Sequence, residues 1–128
     1  MDDVAAHPSR SVMEATLGRF SAAWSRGDID GLMALMADDP TYRTSGGLTF
    51  RGRDQVREGF ARICQPSDAS VDPPPPADTL VFGNKCLTYW TLRLPAVGGG
   101  DAMVDGVDII TFDSSGLILV KDAYRKLR

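Results

Sequence analysis

The chain has 128 residues but only one histidine and two cysteines, Cys64 and Cys86, neither of them in a C-x-x-C pair. A zinc or haem site therefore has no donor set to build on, and both cysteines read as core thiols. A Ser-His-Asp triad would have to recruit His7, in an N-terminal tail (residues 1–8) expected to be flexible. No G-x-G-x-x-G or Walker loop occurs. The run Gly98–Gly100 has no helix behind it and reads as a hairpin loop. No apolar run approaches the ~20 residues of a membrane span. The opening MDDVAAHPSR is acidic and lacks an apolar segment, which argues against a secretory signal. There is no basic run, and the formal net charge of -3 argues against a nucleic-acid binder. With thiols kept reduced and no leader, the expected compartment is cytoplasmic.

What is present is ordinary for a globular protein: 43% hydrophobic and 24% charged residues. The length suits one domain, over residues 1–128, with one core. In SRSVMEATLGRFSAAWSRGD, Val12, Leu17, Phe20 and Trp24 recur near helical spacing, a serine can cap the start, and Gly27 can end it. Asp28 or Asp30 then caps a second helix through Leu32, Leu35 and Met36, which Asp38-Asp39-Pro40 should break. PTYRTSGGLTFRG reads as two strands about Gly46-Gly47. GRDQVREGFARIC reads as a third helix with Val56, Phe60 and Ile63 on one face. The prolines at 73–76 form an extended connector, a candidate lid. The rest is strand: TLVFGN, KCLTYWTLRLP, DAMVDGVDIITF and LILVKDAYRKL. The order α-α-β-β-α-β-β-β-β predicts an α+β fold. Its curved mixed or antiparallel β-sheet is covered by the three early helices, which leaves a conical pocket.

That order resembles the nuclear-transport-factor-2-like superfamily. FSAAWSRGDIDGLMALMADDPTY, FRGRDQVREGF and DGVDIITFDSSGLILV are similar to the opening helices, third helix and closing hairpin of ketosteroid isomerases and SnoaL-like polyketide cyclases. The resemblance runs from about Leu17 to Arg125. It implies the fold strongly and the function weakly, since this fold hosts isomerases, cyclases, hydrolases and non-catalytic modules. The isomerases carry a tyrosine where this chain has Phe20 and a carboxylate base where it has Thr44. Only their pocket aspartate is matched, by Asp108. The cyclases, which use an aspartate here as acid/base and need no such tyrosine, match better.

Side chains alternate along a strand, so an inward Asp108 brings Val104, Gly106 and Ile110 with it. Pairing Asp113 with Gly116 across the turn places Lys121 directly opposite Asp108, with Ala123 and Arg125 on the same face. The pocket floor would then hold Asp108, Lys121 and Arg125, with Asp108 acting as a carboxylate. Cys86, Thr88, Trp90, Leu92 and Leu94 share a face that the resemblance turns inward. Phe20, Trp24 and Phe60 from the helices, with Tyr42 and Thr44 from the first strand, complete the walls. Tyr42 is the second polar group, able to donate to a ligand oxygen. A solvated Asp–Lys pair and plain aromatic core packing explain the same residues structurally.

Two functions stay open. In the first, Asp108 moves a proton on a small, partly apolar cyclic or carbonyl compound, in an isomerisation or aldol-type cyclisation, with Lys121 or Arg125 steadying negative charge. In the second, a non-catalytic module pairs an acidic ligand with Lys121 and Arg125. Neither needs a metal or an organic cofactor. The outward Val107, Ile109 and Thr111, with the usual habit of this fold, imply a homodimer through the outer sheet face.

Overall fold

The computed structural model describes residues 7–64, 79–95 and 98–126, with side chains described except at 92–95 and 101. The proline run at 73–76, the side chain of Leu92, and residues 1–6 of the tail lie outside the described set; Pro8 is already buried. In chain order the elements are α1 (Arg10–Arg26), α2 (Ile29–Met33), β1 (Met36–Arg43), β2 (Thr49–Arg51), α3 (Gly52–Ile63), β3 (Leu80–Phe82), β4 (Lys85–Pro95), β5 (Asp101–Phe112) and β6 (Ile118–Arg125). Among the described residues this is an α+β fold with three helices on a mixed, unclosed six-stranded sheet, shaped as a cone. The strand order is β2-β1-β6-β5-β4-β3. All neighbours are antiparallel except β1 and β6, which run parallel. No helix among the described residues is long and apolar enough to cross a membrane.

Helix α1 starts where the Ser9 side chain accepts from the Val12 N–H and ends at Gly27, whose φ of 67° is the left-handed conformation favoured at a helix end. Its buried face is Met13, Thr16, Phe20 and Ala23; Val12, counted in the apolar spacing, is 44% exposed. The Asp28 carboxylate caps α2 by accepting from Gly31 N–H at 2.9 Å. That helix is shorter than the sequence predicts. It ends at Met33, and Asp38-Asp39-Pro40 lie within β1. The Arg53 guanidinium decides this. It donates to the carbonyls of Met33 (3.1 Å), Met36 (3.0 Å) and Ala37 (3.1 Å), so helix-end and strand-start acceptors are satisfied from α3. Pro40 is tolerated because the β1–β6 ladder shifts register between Met36 and Thr41. On α3, Val56, Gly59 and Phe60 are buried, while Ile63 is 37% exposed at the last turn.

The core gathers Met13, Phe20, Leu32, Met36, Tyr42, Val56, Phe60, Cys86, Ile110, Phe112 and Ile118 between the helices and the concave sheet face. Burying a side chain of this size contributes about 1.5–3 kcal/mol. The closing turn is wider than the sequence reading. Gly116 N–H donates to the Asp113 carbonyl at 3.2 Å, but Asp113 N–H donates one residue further on, to the Leu117 carbonyl at 2.8 Å. Asp113 Oδ1 accepts from Ser115 N (2.9 Å), Ser115 Oγ (2.7 Å) and Leu117 N (3.0 Å). Burial opposes ionisation there, but these bonds outweigh it and hold the carboxyl below its ordinary value.

Candidate functional site

The wider turn and an irregularity between Thr111 and Phe112 move the β5–β6 register, so Asp108 faces Ala123 and Lys121 faces Ile110. The predicted direct pairing of Asp108 with Lys121 is therefore wrong by two residues. A shift of two preserves the face, so the charges still converge. Lys121 Nζ reaches Asp108 Oδ2 diagonally at 3.3 Å, with side-chain exposures of 6% and 16%. The other carboxylate oxygen, Oδ1, accepts from Trp90 Nε1 at 3.0 Å.

Trp90 can make that bond because of Gly106, its partner across β4 and β5. A Cβ on Gly106 would stand 2.1 Å from the indole, so the ring occupies the space any other residue would fill. A glycine inside a strand often marks such a close approach. That was the available sequence signal for this contact, and the reading of Trp90 as wall alone missed it.

The ammonium of Lys121 is also ringed by aromatics. Nζ lies 5.0 Å from the Trp24 ring centroid, 5.1 Å from that of Tyr42 and 5.8 Å from that of Phe20. Rings within ~6 Å attract a cation through their quadrupoles. Tyr42 is there because the parallel β1–β6 pairing sets it beside Lys121. Phe60 braces the cage from α3, its centroid 5.0 Å from Tyr42, 5.9 Å from Phe20 and 6.0 Å from Trp24. Helices α1 and α3 and strands β1, β4, β5 and β6 thus each give a side chain to one cluster.

Tyr42 is 2% exposed. Burial first, then the charges of Asp108 and Cys64, push its hydroxyl pKa far above the ordinary value, so it stays protonated. The Cys64 thiol donates to the Trp24 carbonyl at 3.2 Å. Burial raises its pKa against the lowering pull of Lys121. What the cluster can do chemically follows from these states. It offers a carboxylate with lone pairs still open, a cation and a phenol donor in an apolar surround, where electrostatic interactions are stronger than in water.

The other predicted positions are placed as follows. Thr88 faces Asp108 from β4 and is half-buried; Ile110 is buried opposite Cys86, and half-buried Val104 pairs with Leu92 along the backbone. Thr44 sits beyond the end of β1, where its hydroxyl accepts from Leu48 N–H at 3.0 Å and closes the β1–β2 turn. Arg125, opposite Gly106, shares the face of Asp108 by register but is exposed. It lies at the rim, away from the floor on which the sequence reading set it. On the outer face Thr111 is only 9% exposed, covered by Lys85, whose Nζ donates to its hydroxyl at 2.7 Å.

Comparison with solved structures finds the same architecture. A nuclear-transport-factor-2-like protein of unknown function from Burkholderia pseudomallei aligns with a TM-score of 0.69 and 22% identity, over 90% of this chain and 91% of its own. One from Mesorhizobium loti aligns with a TM-score of 0.69 and 20% identity, over 97% and 100%. An uncharacterized bacterial protein with a cystatin-like fold, from Silicibacter pomeroyi, gives 0.67 and 23%, over 90% and 76%. At these identities the likeness is one of fold. No curated protein matches the chain. The SnoaL-like domain matches residues 17–120, which takes in α1 from Leu17, Asp108 on β5 and the first residues of β6 up to Val120, and the chain therefore belongs to the SnoaL-like domain family.

Proposed function

We propose that the concave face binds a small, partly apolar cyclic or carbonyl compound and that Asp108 moves a proton on it, in an isomerisation or aldol-type cyclisation. The observation that carries this reading is the Asp108 carboxylate, fixed by Trp90 on one oxygen and Lys121 on the other beside an aromatic wall. Positioned general acid–base catalysis contributes about 10²–10⁴-fold. Exchange of α-protons of cyclic ketones into deuterated water, followed by NMR, tests it. Wild type should catalyse exchange, and Asp108→Asn should lose about 10²-fold or more while retaining most of its affinity. Equal exchange by both proteins would sink the reading.

A second reading, a module that holds a hydrophobic acid without turning it over, rests on Arg125. It is exposed on the same face and has no ion pair among the described residues, whereas Lys121 is already paired. Here Arg125→Met should weaken binding of an aromatic carboxylic acid about tenfold or more and Asp108→Asn should change little, measured by calorimetry.

We also propose that a second copy covers the outer sheet face. Leu80, Phe82, Tyr89 and Tyr124 are more than half exposed there, and the strand register sets Val107 between Tyr89 and Tyr124. A stable partner needs about 800 Å² per protomer. Light scattering should give twice the chain mass, and Val107→Glu should halve it. A monomeric wild type overturns the proposal.

A further inference from the structure

Beside the charged pair stands one donor without an acceptor among the described residues. The hydroxyl of Tyr42 is buried and makes no hydrogen bond among the described residues. An unmade hydrogen bond in a buried place costs stability, so such a group asks for an explanation. Its ring neighbours Phe50 and Phe60 offer no acceptor, and the Cys64 thiol donates to the Trp24 carbonyl. The Asp108 carboxylate, near enough for its charge to act on the hydroxyl, is bonded to Trp90 and Lys121 instead.

Next to it along the sheet is Lys121, paired with Tyr42 in the parallel β1–β6 register. An ammonium has three N–H donors. Asp108 accepts one, and the contacts to Trp24, Tyr42 and Phe20 are to ring faces. The carboxylate and the three ring faces hold the ammonium in one place, so Lys121 is a positioned donor on the concave face. A phenol donor and a cationic donor side by side, in a water-poor apolar surround, form a receptor for an anionic oxygen.

We infer that Tyr42 and Lys121 are the donor pair that receives the ligand's oxygen as negative charge gathers on it, an oxygen of enolate or phenolate type, and that Asp108 holds Lys121 in position for this. The inference rests on the ligand lying on the concave face, as proposed above, and not on the proton transfer. It also separates two jobs for Asp108, which has lone pairs left for chemistry after binding Trp90 and Lys121.

The test uses 4-nitrophenol, whose anion absorbs visible light, against 4-nitroanisole, which has the same ring and no ionisable oxygen. Wild type should bind the nitrophenolate about tenfold or more tightly than the ether. Tyr42→Phe keeps the ring that packs on Phe60 and should reduce that preference about tenfold, as loss of a hydrogen bond to a charged group does. Lys121→Met made together with Asp108→Asn, which leaves no unpaired charge, should abolish it. No preference in wild type, or an undiminished preference in Tyr42→Phe, overturns the inference. The readings fail separately: a Tyr42-dependent preference without α-proton exchange upholds the donor pair and removes the proton-transfer reading.

Discussion

Replacing Lys121 with methionine alone is expected to cost about 3–5 kcal/mol of folding stability, the range for removing one partner of a buried ion pair. Asp108 would remain as a carboxylate whose side chain is 16% exposed, with the Trp90 indole as its one hydrogen-bond partner among the described residues. The stabilising contact of the ammonium with three rings would go as well. Adding Asp108→Asn should recover most of the loss, since replacing a whole buried pair is often neutral or stabilising by about 1–4 kcal/mol. Denaturant unfolding of the single and double variants measures both numbers. Full recovery means the pair adds little net stability, so its presence on the concave face is explained by what it does to a ligand. A double variant as unstable as the single one would show that the pair holds β5 to β6, and the functional reading would lose its main support.

The second large effect is expected at Gly106. An alanine there places Cβ about 2.1 Å from the Trp90 ring, far inside van der Waals contact. The strand backbone is held on both sides, by β4 and by β6, so the indole is the part that must move. Overpacking costs about 1–3 kcal/mol, and loss of the Nε1 bond to a charged acceptor about 1.5–3 kcal/mol more. We expect Gly106→Ala to lower unfolding free energy by about 3 kcal/mol and to shift tryptophan fluorescence as the indole leaves Asp108. Gly106→Ala made in Trp90→Phe, where the ring is smaller and the bond already absent, should cost less than half as much. Equal costs in the two backgrounds would locate the penalty in the backbone and not in the Trp90 contact.

Much of the fold was legible because it follows from local rules. Strand alternation along KCLTYWTLRLP put Thr88 and Trp90 on one face, the family resemblance turned it inward, and the strand register sets both on the face of Asp108. The end of α2 was not legible. Asp38-Asp39-Pro40 looks like a helix breaker, but the helix had already stopped five residues before, where Arg53 from α3 takes the Met33 carbonyl. Val12 and Ile63 fit an apolar spacing and are exposed, because a period identifies a face without saying where the core ends.

The site shows the same division. Alternation and the position of the closing turn determined that a carboxylate and a lysine would share one face, since face depends on parity and parity survives a shift of two; the family resemblance turned that face and its aromatic residues inward. Which atoms touch was decided only by the tertiary structure. The wide turn after Asp113 set the diagonal reach of Lys121. The parallel β1–β6 pairing, between strands far apart in the chain, brought Tyr42 beside that lysine. The packing of α1 and α3 closed the rings about it. Those are long-range contacts whose geometry depends on register and packing volume, and neither is written in any short stretch of the sequence.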